Sequence, residues 1–318
     1  FGFLMMMLGQ DVGWPVPVGG SGQLTAALVN RARSAGAHIE CDQTVSSIQV
    51  RAGRAIAVST VGGRRVRARR AIVADVTAPR LFCEMLPRDA VPDGLLRDLE
   101  HYIWDPPVVK VNYALNGPIP WRSKKLTGVG TLHLGADADG LVRWMADLNT
   151  RVVPERPFIL LGQTTTADRT RSPKDTESVW AYTHLPRNVA DDDSADLLAE
   201  RMDQVIEEHA PGFSARVIGR FVQRPSDLEA SDANLHLGAL NGGTAQLQQM
   251  LVFRPAPGMG RAETPIERLY LGSASATPGG SVHGACGRNA ANAALRADGM
   301  TGWPRRKLSR TVISLLTK

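Results

Sequence analysis

The segment from Arg268 to Arg296 limits the architecture of this chain more than any other stretch. Leu269-Tyr270-Leu271 ends at Gly272 and reads as a short buried strand. A helix is predicted from about Gly287 to Arg296, and small residues fill most of the interval. Gly272, Gly279, Gly280, Gly284 and Gly287 punctuate it, with Ser273, Ala274, Ser275, Ala276, Ser281 and Ala285 between them. Glycine admits positive φ and close backbone approach. A helix start beyond such a loop offers N–H groups and the positive end of a dipole. Strand, loop and helix together can seat an anion or the electron-rich edge of a flat ligand. Many α/β proteins carry one such loop, so on physical grounds alone a cofactor seat and a plain turn both stay open.

The chain has 318 residues, 43% of them hydrophobic, enough for one large domain or two smaller ones. The net charge is +6, and much of the excess lies in Arg64 to Arg70. There Arg65, Arg67 and Arg69 alternate with Val66 and Ala68, the pattern of a strand with one solvated face. No aromatic residue interrupts that run, which argues against a base-stacking surface and a nucleic-acid partner. Cys41, Cys83 and Cys286 form no C-x-x-C pair, so no structural zinc is expected, and so sparse a set suits a reducing, cytoplasmic setting. The histidines at 38, 101, 133, 184, 209, 236 and 283 are scattered, without a metal-binding spacing. The opening FGFLMMML is too short to span a bilayer and lacks a basic flank. It is expected to end a buried or substrate-lining helix, with peripheral membrane contact as the alternative.

Pro15 and Pro17 exclude a central strand from the loop Gly13 to Gly22. Gln23 to Ser34 predicts a helix, with Leu24, Ala27, Leu28 and Ala32 on one face and Gly36 at the stop. A short strand is expected at Ala37 to Cys41. Thr44 to Val50, Ala55 to Thr60 and Arg65 to Val73 predict an antiparallel meander turned at Gly53 and Gly62-Gly63. Past Asp75, prolines punctuate helical pieces. Strands are then predicted at Val108 to Leu115, Gly130 to Leu134, Phe158 to Thr165, Ser178 to His184 and Arg216 to Gln223. Ser194 to His209 predicts a helix striped by Leu197, Leu198, Met202, Val205 and Ile206, with Asp191-Asp192-Asp193 as its N-terminal cap. Trp104, Trp121, Trp144 and Trp180 suit core packing more than a pocket lining. Gly238 to Phe253 holds Asn241-Gly242-Gly243 and then a Gln-rich helical stretch, and Thr301 to Lys318 is a basic tail.

The run Leu271-Gly272-Ser273, Thr277-Pro278-Gly279-Gly280-Ser281-Val282-His283-Gly284 and Gly287-Arg288-Asn289-Ala290-Ala291 resembles the C-terminal FAD-binding signature of phytoene desaturase-type oxidoreductases. These are the carotenoid desaturases and their retinol saturase-like relatives. The resemblance implies that Gly272 and Ser273 lie by the FAD pyrophosphate and ribitol. It also implies that Pro278, Gly279, Gly280, Ser281 and Val282 run against the isoalloxazine. His283 would tune the ring or touch substrate, or serve only as a hydrogen-bonded loop residue. Thr277 stands where that family often has His. Ser273 stands where amine-oxidase relatives often carry an acid, which argues against amine oxidation. Four further segments match in family order. Pro17 to Leu24 resembles the Gly-Gly segment that opens a helix, with Gly19 and Gly20 at the cofactor. Thr44 to Ile48 resembles the adenine-side strand, with Val45 meeting the adenine through its backbone. Arg70 to Asp75 resembles the strand returning to the FAD domain. Arg254-Pro255 matches a short element before the tail motif.

The family's opening strand with G-x-G-x-x-G is not among these matches. Gly20-x-Gly22 followed by Glu40 mimics it, but Thr25 stands at the third glycine position and Pro15 and Pro17 spoil the strand before it. The first βαβ unit is therefore expected to lie outside this sequence, and this stretch alone is expected to hold FAD poorly. The expected fold class is α/β with an α+β insertion: a partial glutathione-reductase-like FAD domain plus a mostly antiparallel-sheet substrate domain. The expected boundaries are 1–77 for the first FAD-domain segment, 78–250 for the substrate domain, 251–300 for the C-terminal FAD segment and 301–318 for the tail. The resemblance implies hydride transfer between flavin and a small apolar, isoprenoid- or lipid-like substrate. Amine oxidation, saturation or isomerisation on the same scaffold, or an inactive binding module, are the alternatives.

Overall fold

A computed structural model describes residues 2–298. The helices are α1 (Gly2–Val12), α2 (Gly22–Ser34), α3 (Asp93–Glu100), α4 (Ala138–Thr150), α5 (Thr164–Ala167), α6 (Asp192–His209), α7 (Phe213–Arg216), α8 (Pro225–Ser231) and α9 (Ala285–Asp298). The strands are β1 (Val45–Arg51), β2 (Arg54–Thr60), β3 (Arg65–Arg67), β4 (Ile72–Ala74), β5 (Val108–Leu115), β6 (Thr131–Leu134), β7 (Ile159–Gln163), β8 (Glu177–His184), β9 (Val217–Gln223) and β10 (Leu269–Leu271). The chain forms two units, Phe1–Glu40 with Val108–Arg224, and Cys41–Pro107 with Pro225–Lys318.

The first unit is built on an antiparallel sheet in the order β6-β7-β8-β5-β9. Alternation along β8 and β5 sends Val179, Ala181, Val109, Val111, Tyr113 and Leu115 to one buried face. There they pack with the stripe of α6, where Leu198, Met202, Val205 and Ile206 are buried. Each such side chain contributes roughly 1.5–3 kcal/mol on burial. Asp191 caps α6 by accepting the Ser194 N–H at 2.8 Å, and that bond holds its carboxyl below the usual range. Tyr113 donates to Asp203 at 2.7 Å, and Arg220 pairs with the same carboxylate at 2.9 Å. The opposite face of the sheet carries mixed aromatic and polar side chains, mostly half-buried, and at one end Trp144 of α4 lies 6.2 Å from the ring of His184.

The second unit holds the meander β1-β2-β3, turned at Ala52–Gly53, and a parallel pair, β4 with β10. Ile72, Val73 and Ala74 stand opposite Leu269, Tyr270 and Leu271. Leu81, Phe82, Leu95, Met259 and Leu271 lie at its centre, fully buried. Arg54 and Glu267 tie the meander's turn to the approach to β10 through an ion pair at 2.8 Å and backbone bonds from Ala55 N and Glu267 N.

Several expectations are corrected. No strand forms at 37–41; both sides of that stretch face solvent, and an exposed Ile39 has nothing to pack on. The strand predicted over 65–73 divides, because β3 stays with β2 while β4 changes partner and runs parallel to β10. The Gln-rich stretch before Arg254 makes two 3₁₀ turns instead of a helix, with positive φ at Leu251, where the second begins. Helix α4 has no counterpart among the expected elements; Asp137 caps it, accepting the Gly140 N–H at 2.8 Å. Met6, Met7 and Leu8 of α1 are exposed, not buried, and α2 has no buried residue. The compact unit around the five-stranded sheet comprises residues 108–224 together with 1–40. The basic tail 301–318 lies outside the described residues. Among the described residues no helix is long and apolar enough to cross a membrane, and no three metal-ligating side chains converge.

Candidate flavin-binding site

The tail motif is organised by one buried cation. Arg254 is 2% exposed, and every hydrogen bond it makes goes to a main-chain carbonyl. Its Nε and one terminal nitrogen reach Ala274 O at 3.0 and 2.7 Å. The terminal nitrogens also reach Asn241 O at 2.7 Å and Thr244 O at 2.9 Å. The planar fork of donors thus clips the loop after β10 to the Asn241–Thr244 turn. Ser275 adds a second clip, donating to Gly242 O at 2.8 Å and accepting from Ala78 N at 3.1 Å. The Tyr102 hydroxyl donates to Gly242 O, and burial holds that phenol above its ordinary range. A Cβ at Gly243 would overlap the Tyr102 hydroxyl, so this turn needs glycine there.

With its rear fixed in this way, the loop leaves its front open. Ser273 and Gly279 are buried, while Pro278, Ser281, Val282 and His283 are exposed. Gly279 takes φ +114°, and a Cβ there would stand 3.2 Å from Arg254 Nε. A Cβ at Gly280 would stand 2.9 Å from Asn241 Oδ1. A Cβ at Gly284 or Gly287 would meet nothing within 4 Å. A ligand can therefore approach the backbone at the first turn of α9, whose N–H groups have no partner within the helix. His283 Nδ1 accepts the Ala285 N–H at 2.9 Å, which makes His283 a cap of that turn. Gly272 closes the packing instead: a Cβ there would meet Val73 Cγ1 at 3.1 Å and Ala290 Cβ at 3.4 Å.

The structure brings Gly272, Ser273, Pro278, Gly279, Gly280, Ser281 and Val282 into one loop. Val45 belongs to the same unit and opens β1, at the end of the hairpin away from the Ala52–Gly53 turn. Gly19 and Gly20 belong to the first unit and have a local structural role. Gly19 N donates to Asp168 at 2.6 Å, and a Cβ at Gly20 would overlap the Arg171 guanidinium. The Gly19 bond holds the Asp168 carboxyl below its usual range, so this latch is present at neutral pH and is lost as pH falls through that lowered value. Tyr102, Ser275 and Arg254's full set of carbonyls have no sequence signal, because they depend on contacts between distant segments. Asn241-Gly242-Gly243 is visible only as a turn. Asp75, at the carboxyl end of β4, also joins the region, since Gly272 N donates to Ala74 O at 2.9 Å. Partial burial and nearby Asp232 hold its carboxyl above the usual range.

In the first unit, the register maps the open face of the sheet. Gly162, Trp180, Asn112 and Phe221 form one row across β7, β8, β5 and β9. Leu160, Tyr182, Lys110 and Gln223 form the next. Asn112 donates to Gln223 at 3.1 Å. Lys110 is a half-buried ammonium whose pKa is lowered by desolvation. Nothing in the alternation of β5 marks it as different from a solvated strand lysine.

The model of the flavin containing amine oxidoreductase family matches residues 3–295. The chain belongs to that family. It is similar to pyridine nucleotide-disulfide oxidoreductase domain-containing protein 2 of Rattus norvegicus, 30% identical over 306 residues, which are 91% of this chain and 52% of the rat protein. It is also similar to one of the limonene dehydrogenase subunits of Castellaniella defragrans, 29% identical over 148 residues, 44% of this chain and 27% of that protein. Among solved structures it is similar to cyclohexylamine oxidase from Brevibacterium oxydans, with TM-score 0.55 and 12% identity over 88% of this chain and 53% of that one. An oxidoreductase from Methanosarcina mazei has TM-score 0.53 and 14% identity over 87% and 54%. At these identities the likeness is one of fold. The chain spans about half the length of the rodent relatives it matches. The cofactor of this flavin family is FAD. The residues present fit part of it: the exposed stretch from Ser281 to Gly284 and the open positions at Gly284 and Gly287 leave room for a flat ligand edge or an anion, with Arg254 behind the loop.

Proposed function

We propose that this chain is part of an FAD-dependent oxidoreductase of the phytoene desaturase type that acts on a small apolar, isoprenoid- or lipid-like substrate. Bound FAD supplies the hydride chemistry at a carbon–carbon bond. The backbone of Gly279 to Val282 and the first turn of α9 would hold the cofactor, and Gly272 and Ser273 would flank it at the strand end. The observation that carries this reading is the Arg254-clipped loop with its open front, within a chain of the flavin family. Ser273, where an acid would suit amine oxidation, favours the hydrocarbon reading. So does the relative named for limonene dehydrogenation, since limonene is a hydrocarbon. Exposed Met6, Met7, Trp14, Val16 and Val18 suit a peripheral membrane contact, from which an apolar substrate would be drawn. The reading includes a cytoplasmic location and no nucleic-acid partner.

The full-length, FAD-loaded protein tests the reaction. Mixed anaerobically with limonene or a conjugated polyene, the oxidised protein is expected to lose its visible flavin absorbance, or the prereduced protein to regain it. Cyclohexylamine and benzylamine are expected to leave it unchanged. Rapid bleaching by the amines, with no response to the hydrocarbons in either direction, would sink the proposal.

A further inference from the structure

The open face of the five-stranded sheet carries a feature that core packing does not explain. On β8, Glu177, Val179, Ala181 and Thr183 are buried, while Ser178, Trp180, Tyr182 and His184 are half-buried on the other side. Trp180 stands opposite Gly162 of β7 in the register, so both positions face the same way. A Cβ at Gly162 would overlap the Trp180 ring at Cε2, Cζ2 and Nε1. The indole therefore leans over onto the neighbouring strand, into the space that a side chain at 162 would fill. Tyr182 lies beside it, with centroids 6.0 Å apart and planes 17° from parallel. Farther along the same row, Phe221 is 61% exposed. The row beside this one is built of Ser178, Ala114 and Gly219, all small. A low floor of aromatic rings thus borders a trough of small residues. Glycine inside a strand weakens it, and its usual rationale is close approach by another group. Here that group is the Trp180 ring.

We infer that Trp180 and Tyr182 form a floor that selects flat apolar ligands, and that Gly162 sets the height of that floor. This deepens the proposed function by naming the shape of the substrate: a planar conjugated or cyclic hydrocarbon portion, laid against the sheet. A flat ring surface favours such a molecule over a flexible chain, because stacking geometry rewards planarity and a rigid ligand loses less freedom on binding. Any side chain at 162 meets the body of the indole, not its flexible end, so the ring must swing up into the trough.

The test uses the full-length, FAD-loaded protein and diphenylhexatriene, a rigid flat polyene whose binding is read by energy transfer from tryptophan. Wild-type protein is expected to bind the probe. Gly162→Val and Trp180→Ala are each expected to weaken binding about tenfold, and Trp180→Phe to weaken it by no more than about threefold. Gly162→Ala is expected to fall between wild type and Gly162→Val, and with the two Trp180 variants it keeps the question decidable should Gly162→Val fail to fold. A folded Gly162→Val or Gly162→Ala protein that binds the probe within about twofold of wild type would overturn the inference. The same follows if Trp180→Ala has no effect. Because the readout is binding, it is separate from the reaction: a protein that binds the polyene in a Gly162-dependent way but bleaches with amines refutes the hydrocarbon chemistry and leaves the floor in place. Turnover of hydrocarbons with probe binding indifferent to residues 162 and 180 does the reverse.

Discussion

Arg254→Met is expected to destabilise the unit that contains it by about 3–5 kcal/mol, measured by urea unfolding of the full-length protein. The methionine fills much of the volume but donates nothing. Carbonyls of Ala274, Asn241 and Thr244, now held at 2.7–3.0 Å by the guanidinium, would lose their donor, that of Thr244 in a buried position and the others in partly buried ones. An orphaned buried carbonyl costs about 1–3 kcal/mol, and partial relaxation of the loop keeps the total below the sum. Lysine is expected not to rescue, since a single ammonium cannot reach two segments on opposite sides of a planar fork. FAD content should fall in both variants along with stability. A loss below about 1 kcal/mol would mean that the loop holds its shape without the clip.

Gly279→Ala is expected to lower FAD affinity by at least about tenfold, by a route that separates from global stability. The residue sits at φ +114°, where an L side chain costs about 1–3 kcal/mol. The new Cβ would also stand 3.2 Å from Arg254 Nε and 3.4 Å from Cζ, and the fully bonded guanidinium has nowhere to retreat. The strain is relieved most simply by moving the loop's open front, which is the part proposed to meet the flavin. Gly63→Ala, in the turn between β2 and β3 and outside this loop, is the control: its φ is +79° and its Cβ would meet nothing within 4 Å, so its effect on FAD affinity should be smaller. Flavin absorbance titrations on both variants give the comparison. Equal affinities for Gly279→Ala and wild type would separate this glycine from the cofactor seat.

Much of this arrangement can be read from the residues. Alternation in 108–115 and 178–184 predicts strands that pair in full antiparallel register, and the stripe of 194–209 predicts the helix that covers them. The strand–glycine–helix pattern of 269–296 predicts β10, the loop and α9. What escapes is set by partners far along the chain. Strand periodicity cannot say that 72–74 leaves the meander to run beside 269–271, because both neighbours reward the same apolar pattern. A turn signal at Asn241-Gly242-Gly243 cannot show that its carbonyls face a buried arginine thirteen positions or fewer ahead. The bond from Gly19 N to Asp168 joins positions 149 residues apart, and no local pattern announces it. Gly162 looks like a weak point in a strand until Trp180 is seen lying over it.

Hydrogen exchange by mass spectrometry on the full-length protein, with and without FAD, tests the flavin seat most directly. Slowed exchange of amides between Gly279 and Arg288 on adding FAD is expected, with the buried clip around Asn241–Thr244 already protected in its absence. Unchanged exchange from 272 to 288, while FAD protects other segments, would contradict the assignment of this loop as the seat of the flavin.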